Sequence, residues 1–171
     1  MKQVCFQLRS IKIITFITAL FCVLSSATNI HVVNTDFSGK WTLNVTKSQF
    51  GNIPLQAAVK QFEIKQSEDS IFIKKITINS NNEEKKSLET VSFDSKPCYQ
   101  LLDSKRTKAS AATWSSEGQV LTMANSYSFP DEPDKIEYSI LQTWALTNDG
   151  KDLIVILKCQ SYAIKAVYEK Q

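Results

Sequence analysis

From Gly39 to the C-terminus, apolar and polar residues alternate with a period of two rather than the three-to-four spacing of a helix. Ten runs follow this pattern: 40–45, 58–66, 70–79, 86–94, 98–102, 108–116, 119–129, 135–147, 153–161 and 163–170. They are rich in Val, Ile, Thr and aromatic residues, the side chains that suit a pleated, half-buried surface. Between them lie short polar clusters, among them 67–69, 79–82, 116–118 and 148–150, and Asp149-Gly150 is the strongest hairpin signal in the chain. Short strands joined by tight turns predict an all-β fold, an antiparallel up-and-down β-barrel of about 8–10 strands. Closure removes the sheet edges that invite aggregation. A two-sheet sandwich would require longer crossovers than these turns provide. Lys47 to Leu55 interrupts the alternation and is expected to form a loop or a single helical turn across one barrel end.

The first residues follow a different plan. Lys2, Arg9 and Lys12 precede the apolar run 13–24, which ends at Ser25-Ser26-Ala27. This is the layout of a secretory signal peptide, and the run is shorter than the roughly 20 residues a spanning helix needs. The expected organisation is a signal peptide over 1–27 and one β-barrel domain over 28–171, exported to the periplasm or secreted, with no transmembrane segment in the mature chain.

Export changes the charge picture. The chain has 20 Lys+Arg and 17 Asp+Glu, and residues 1–27 carry three of the basic residues and none of the acidic ones. The mature chain is therefore balanced at 17 against 17, which argues against a nucleic-acid partner. Lys74-Lys75 reads as a pair on a solvated face. Two cysteines, Cys98 and Cys159, follow residue 27; the oxidising destination favours a disulfide between them, and the alternative is two separate buried thiols.

Candidate chemistry is sparse. The single histidine, His31, lies in the lead-in, and there is no nucleophile elbow, phosphate loop or metal-ligand spacing. No enzyme activity, cofactor or metal is expected. The acidic run Asp131-Glu132-Pro133-Asp134 reads as a solvated turn, and Asn44-Val45-Thr46 is a glycosylation sequon. Alternation places Ile136, Tyr138, Ile140, Gln142, Trp144 and Leu146 on one face. Tyr138, Gln142 and Trp144 could then line a cavity, a few polar groups orienting an apolar ligand; equally, they could pack a core whose donors find backbone partners. Residues 109, 111 and 113 leave room if they face inward, which would turn Trp114 out. Arg106, the single arginine after residue 27, is a candidate inward cation.

Two stretches resemble the calycin superfamily of lipocalins and fatty-acid-binding proteins. "DFSGKW" is similar to the lipocalin opening motif, in which the Gly-x-Trp pair, here Gly39 and Trp41, starts the first strand and the tryptophan plugs the closed end. "AVYEKQ" is similar to the last strand of fatty-acid-binding proteins, where an Arg-x-Tyr pair helps hold a ligand carboxylate. The chain as a whole resembles small lipocalin-like domains exported by bacteria. The resemblance implies a non-catalytic protein binding a small apolar or amphipathic ligand, a lipid for example, with Tyr168 in the tyrosine position. The arginine position holds Ala166, and no arginine is available to pack over Trp41 as it does in lipocalins. A filled barrel acting on a protein partner through its loops is the alternative.

Overall fold

The computed structural model describes residues 32–55, 58–79, 81–103 and 105–171; the expected signal peptide lies outside them. The described residues form ten strands: β1 (Gly39–Gln49), β2 (Val59–Gln66), β3 (Ser70–Ile78), β4 (Glu84–Ser92), β5 (Cys98–Asp103), β6 (Arg106–Trp114), β7 (Val120–Phe129), β8 (Glu132–Leu146), β9 (Asp152–Lys158) and β10 (Ala163–Lys170). All neighbours are antiparallel, in the order β4-β3-β2-β1-β10-β9-β8-β7-β6-β5. The first and last strands pair with each other, Trp41 opposite Lys170 and Leu43 opposite Tyr168. The sheet curls into a nearly closed barrel whose two free edges, β4 and β5, face each other.

The predicted break after Lys47 has a specific cause. Between Asn44 and Gln49, β1 advances five residues while β10 advances two, from Val167 to Lys165. The excess forms a bulge, in which Ser48 Oγ donates to Asn44 O (2.6 Å) and accepts from Val167 N (2.9 Å). β1 therefore runs two residues beyond Lys47, and only the short connection that starts at Phe50 remains as a loop. The sequon asparagine is fully engaged: Asn44 Nδ2 donates to Glu169 Oε1 at 2.8 Å, and its Oδ1 accepts from Thr46 Oγ1 and Lys47 N.

One end of the barrel is sealed by residues 32–38. Thr35 N donates to Gly118 O (2.8 Å), while Gln66 accepts from Phe37 N and donates to Thr35 O. Gly118 has φ 67°, and a Cβ there would meet Val32 and Asn34 within 3 Å, so only glycine lets the lead-in lie this close. Behind this seal runs a chain of aromatic contacts. Phe93 packs on Trp114, Trp114 stacks on Phe37 (5.6 Å, 5°), Phe37 meets Trp144, Trp144 meets Phe62, and Phe62 meets Tyr168 at 4.7 Å. Trp114 thus faces inward and residues 109, 111 and 113 face outward, the reverse of the roomy arrangement considered above. Four of these rings, with Trp41, are almost wholly buried.

Candidate functional site

Trp41 is fully buried near the start of β1. Its Nε1 donates to Phe37 O at 2.9 Å, and Lys170 Nζ lies 5.3 Å from its ring centroid. A lysine from the last strand thus lies as a cation over the aromatic face of Trp41. Gly39 makes room for it: φ is +142°, and a Cβ there would lie 3.1 Å from Lys170 Cε.

Tyr138, Gln142, Trp144, Tyr168 and Arg106 fall at the positions of β8, β10 and β6 that are in phase with the core, but at three different depths. Trp144 belongs to the aromatic plug. Gln142 and Tyr168 line a cavity of about 60 Å³, together with Phe62, Lys75, Leu157 and Ile164 among others. Tyr138 stands at the mouth, stacked on Tyr127 (4.4 Å, 13°), with Arg106 5.7 Å from its ring and 3.4 Å from Glu137. Burial and the neighbouring Tyr138 raise the Tyr127 phenol to about 12. Arg106 therefore does not reach the cavity.

In the cavity wall, Trp144 Nε1 donates to Gln142 Oε1 at 3.3 Å. An indole nitrogen only donates, so this bond fixes the amide with its oxygen toward Trp144 and its Nε2 hydrogens turned away from the indole. Burial pushes the pKa of the Tyr168 hydroxyl well above the usual phenol value. The cavity is narrow, since a water occupies roughly 30 Å³ and pockets for drug-sized ligands run to about 300–1,000 Å³.

The sequence did not point to the most concentrated chemistry in the barrel. Lys74 faces out and pairs with Glu63 (2.9 Å), but Lys75 points inward and meets Glu89 Oε2 at 2.5 Å. Only half of the pair expected on a solvated face is solvated. Lys108 grips the other oxygen of Glu89, and the three side chains are 16%, 8% and 6% exposed for Lys75, Glu89 and Lys108. Ser110 Oγ lies 2.9 Å from Glu89 Oε1 and 2.8 Å from Asn125 Oδ1. A hydroxyl has one proton to give, so it serves one acceptor at a time. Turning the Asn125 amide to donate to Ser110 would free Oδ1 in place of the unpartnered Nδ2. Either way, one amide atom of this buried residue is left without a protein partner. Burial alone would raise the Glu89 carboxyl, but the two ammonium groups outweigh it and hold the pKa at about 2. Burial and the like charge of Lys75 bring Lys108 down to about 8 despite Glu89.

This cluster also ties the seam. No ladder joins β4 to β5 among the described residues. Side chains cross instead: Glu89 to Lys108 and Ser110 of β6, Gln100 Nε2 to Leu88 O (2.8 Å), and Ser92 N to Cys98 Sγ (3.5 Å). The expected disulfide is not formed. Cys98 and Cys159 are both free thiols, Cys98 opening β5 at the seam and Cys159 in the β9–β10 turn beside Ser161 (3.5 Å).

A ten-stranded antiparallel meander, sealed at one end by a Gly-x-Trp strand and lined by inward aromatic and polar side chains, is a calycin-type fold. Solved structures agree at the level of fold. The chain is similar to the REP1-NXSQ fatty acid transporter (TM-score 0.53, 15% identity, covering 80% of this chain and 96% of that one). It is also similar to a secretary abundant heat soluble protein from Ramazzottius varieornatus (0.56, 12%, 82% and 98%) and to the fluorescent protein UnaG (0.54, 13%, 79% and 97%). No protein-family model and no curated protein matches the chain at the level of sequence.

Proposed function

We propose that the chain is an exported, non-catalytic binding protein that takes a small apolar or amphipathic molecule into the upper half of its barrel. The observation that carries this reading is the cavity beside Phe62 and Tyr168. Its wall is apolar except for Lys75, Gln142 and Tyr168, the few-polar-groups arrangement that orients a ligand. At about 60 Å³ it seats one end of a molecule, and the remainder would extend toward Tyr127 and Tyr138 at the mouth. The likeness in fold to a protein named as a fatty acid transporter supports a lipid-like ligand. The basic, apolar and small-residue segments of residues 1–27 support export to the periplasm or beyond.

Native mass spectrometry of protein purified from its own cells, with displacement of an environment-sensitive dye by fatty acids, retinoids and haem-like compounds, tests the reading. Absence of both a co-purified ligand and dye uptake would sink it. The small interior favours one other reading, a filled barrel that works through its surface. Tyr99 (71% exposed), Leu101 and Ile136 stand out on the described surface, and a groove of about 410 Å³ runs past Tyr99, Ala111 and Leu141. A protein partner captured by a chain that takes up no dye would establish that alternative.

A further inference from the structure

The buried cluster on β3, β4 and β6 is out of balance. Lys75 and Lys108 bring two positive charges against the single carboxylate of Glu89, and among the described residues no second carboxylate pairs with either lysine. An ammonium held out of water without a counter-charge is costly, so the arrangement calls for one more anion. The cavity next to Lys75 shows where it would sit. Three polar side chains line it, and all have protons to give: the Lys75 ammonium, the Gln142 amide whose oxygen is already used by Trp144, and the Tyr168 hydroxyl. The other side of the cluster ends in Asn125, 2% exposed with an unpartnered amide atom, so the polar groups here are incompletely satisfied by the protein itself. A volume of about 60 Å³, roughly two waters, suits a carboxylate or a halide.

We propose that this cavity is a monoanion site, in which Lys75 turns from Glu89 to the anion, Gln142 Nε2 and the Tyr168 hydroxyl donate to it, and Glu89 stays with Lys108 as a neutral pair. The cation comes from β3, across the barrel from the last-strand position that Ala166 fills. The same chemistry is met by a free small anion or by the acidic head of an amphipathic ligand; only the second source rests on the binding function proposed above.

Calorimetric titration with octanoate and with octanol separates these ideas. Octanoate should bind about tenfold tighter or more, the worth of a charge-assisted hydrogen bond, and Lys75→Met should bring the ratio near one. Tyr168→Phe, which keeps the ring, should lower it several-fold. An affinity rising about fourfold per methylene from acetate through butyrate to octanoate identifies the head of an amphiphile; one constant along the series identifies a free anion. Equal binding of octanoate and octanol overturns the anion site and leaves the ligand reading intact. If neither eight-carbon probe binds, the ligand reading falls. In that case, protection against unfolding by acetate that is lost in Lys75→Met still upholds the anion site, and no acetate effect overturns it.

Discussion

Replacing Glu89 by Gln should unfold the protein far more readily than replacing Lys75 by Met, although both changes remove one charge from the same buried cluster. The Glu89 carboxyl falls from 4.5 to about 2 on folding. At roughly 1.4 kcal/mol for each tenfold change in acidity, that fall favours the ionised folded state by about 3 kcal/mol. Glu89→Gln forfeits that and leaves two ammonium groups facing each other behind the β4–β5 seam. The expected loss is about 3–5 kcal/mol, as for other buried pairs broken on one side. Lys75→Met instead leaves Glu89 and Lys108 as a neutral pair with an apolar neighbour, and its effect should stay within about 1 kcal/mol. Urea unfolding followed by tryptophan fluorescence measures both. With m near 1–3 kcal/mol/M, the Gln variant's midpoint should drop by roughly 1 M or more. Equal losses in the two variants, or an unchanged midpoint in Glu89→Gln, would refute the charge arithmetic.

Because the Glu89 pKa is depressed in the folded state, its contribution is present above the unfolded value of 4.5 and is lost as the pH falls toward about 2. Wild-type stability should decline across that window more steeply than that of Glu89→Gln, as acid titration of the urea midpoint would show. Gly39→Ala places a methyl 3.1 Å from Lys170 Cε at φ +142° and should cost about 1–3 kcal/mol; a smaller loss when combined with Lys170→Ala would trace part of it to that contact. Phe62→Ala removes one wall of the cavity, should cost about 3–5 kcal/mol, and should let benzene raise the melting temperature, as apolar cavities do. Both thiols should react with a thiol reagent in unfolded, unreduced protein, and reduction should leave the mass unchanged; a gain of about two hydrogens would restore the disulfide.

The fold was legible because period-two patterning runs from Gly39 onward: every alternating run became a strand, and the polar clusters 67–69, 116–118 and 148–150 became turns. The break from Lys47 to Leu55 was visible, but the bulge at its start was not, since it depends on where Ser48 finds Val167 across the sheet. The site was half legible. Alternation put Gln142 on the same face as Trp144, and the two motifs singled out Trp41 and Tyr168. Arg106 was overrated because its depth in the barrel, not its side of the strand, decides what it reaches. The interior charges were missed for a general reason. A lysine beside another lysine, or a glutamate in "SLETVS", reads as solvated, yet Glu89 lies two residues before the buried Val91, and Lys108 and Ser110 lead to the buried Ala112 on the same face of β6. Parity alone put all three inside.

Those interior charges do not earn their place through stability. The fall of Glu89 from 4.5 to about 2 and of Lys108 from 10.5 to about 8 are equal in size. At neutral pH the first favours the folded state, because the carboxylate is ionised and better paired than when unfolded. The second opposes it, because an ammonium whose pKa drops on folding is charged where charge is disfavoured. Each is worth about 3 kcal/mol, so to this order they offset. An apolar trio of similar volume would hold β3, β4 and β6 together at least as well. What it could not do is present an ammonium to a cavity whose other polar side chains are Gln142 and Tyr168. The cluster thus makes physical sense as part of a binding interior, with the closure of the seam and the charge facing the cavity supplied by the same three side chains.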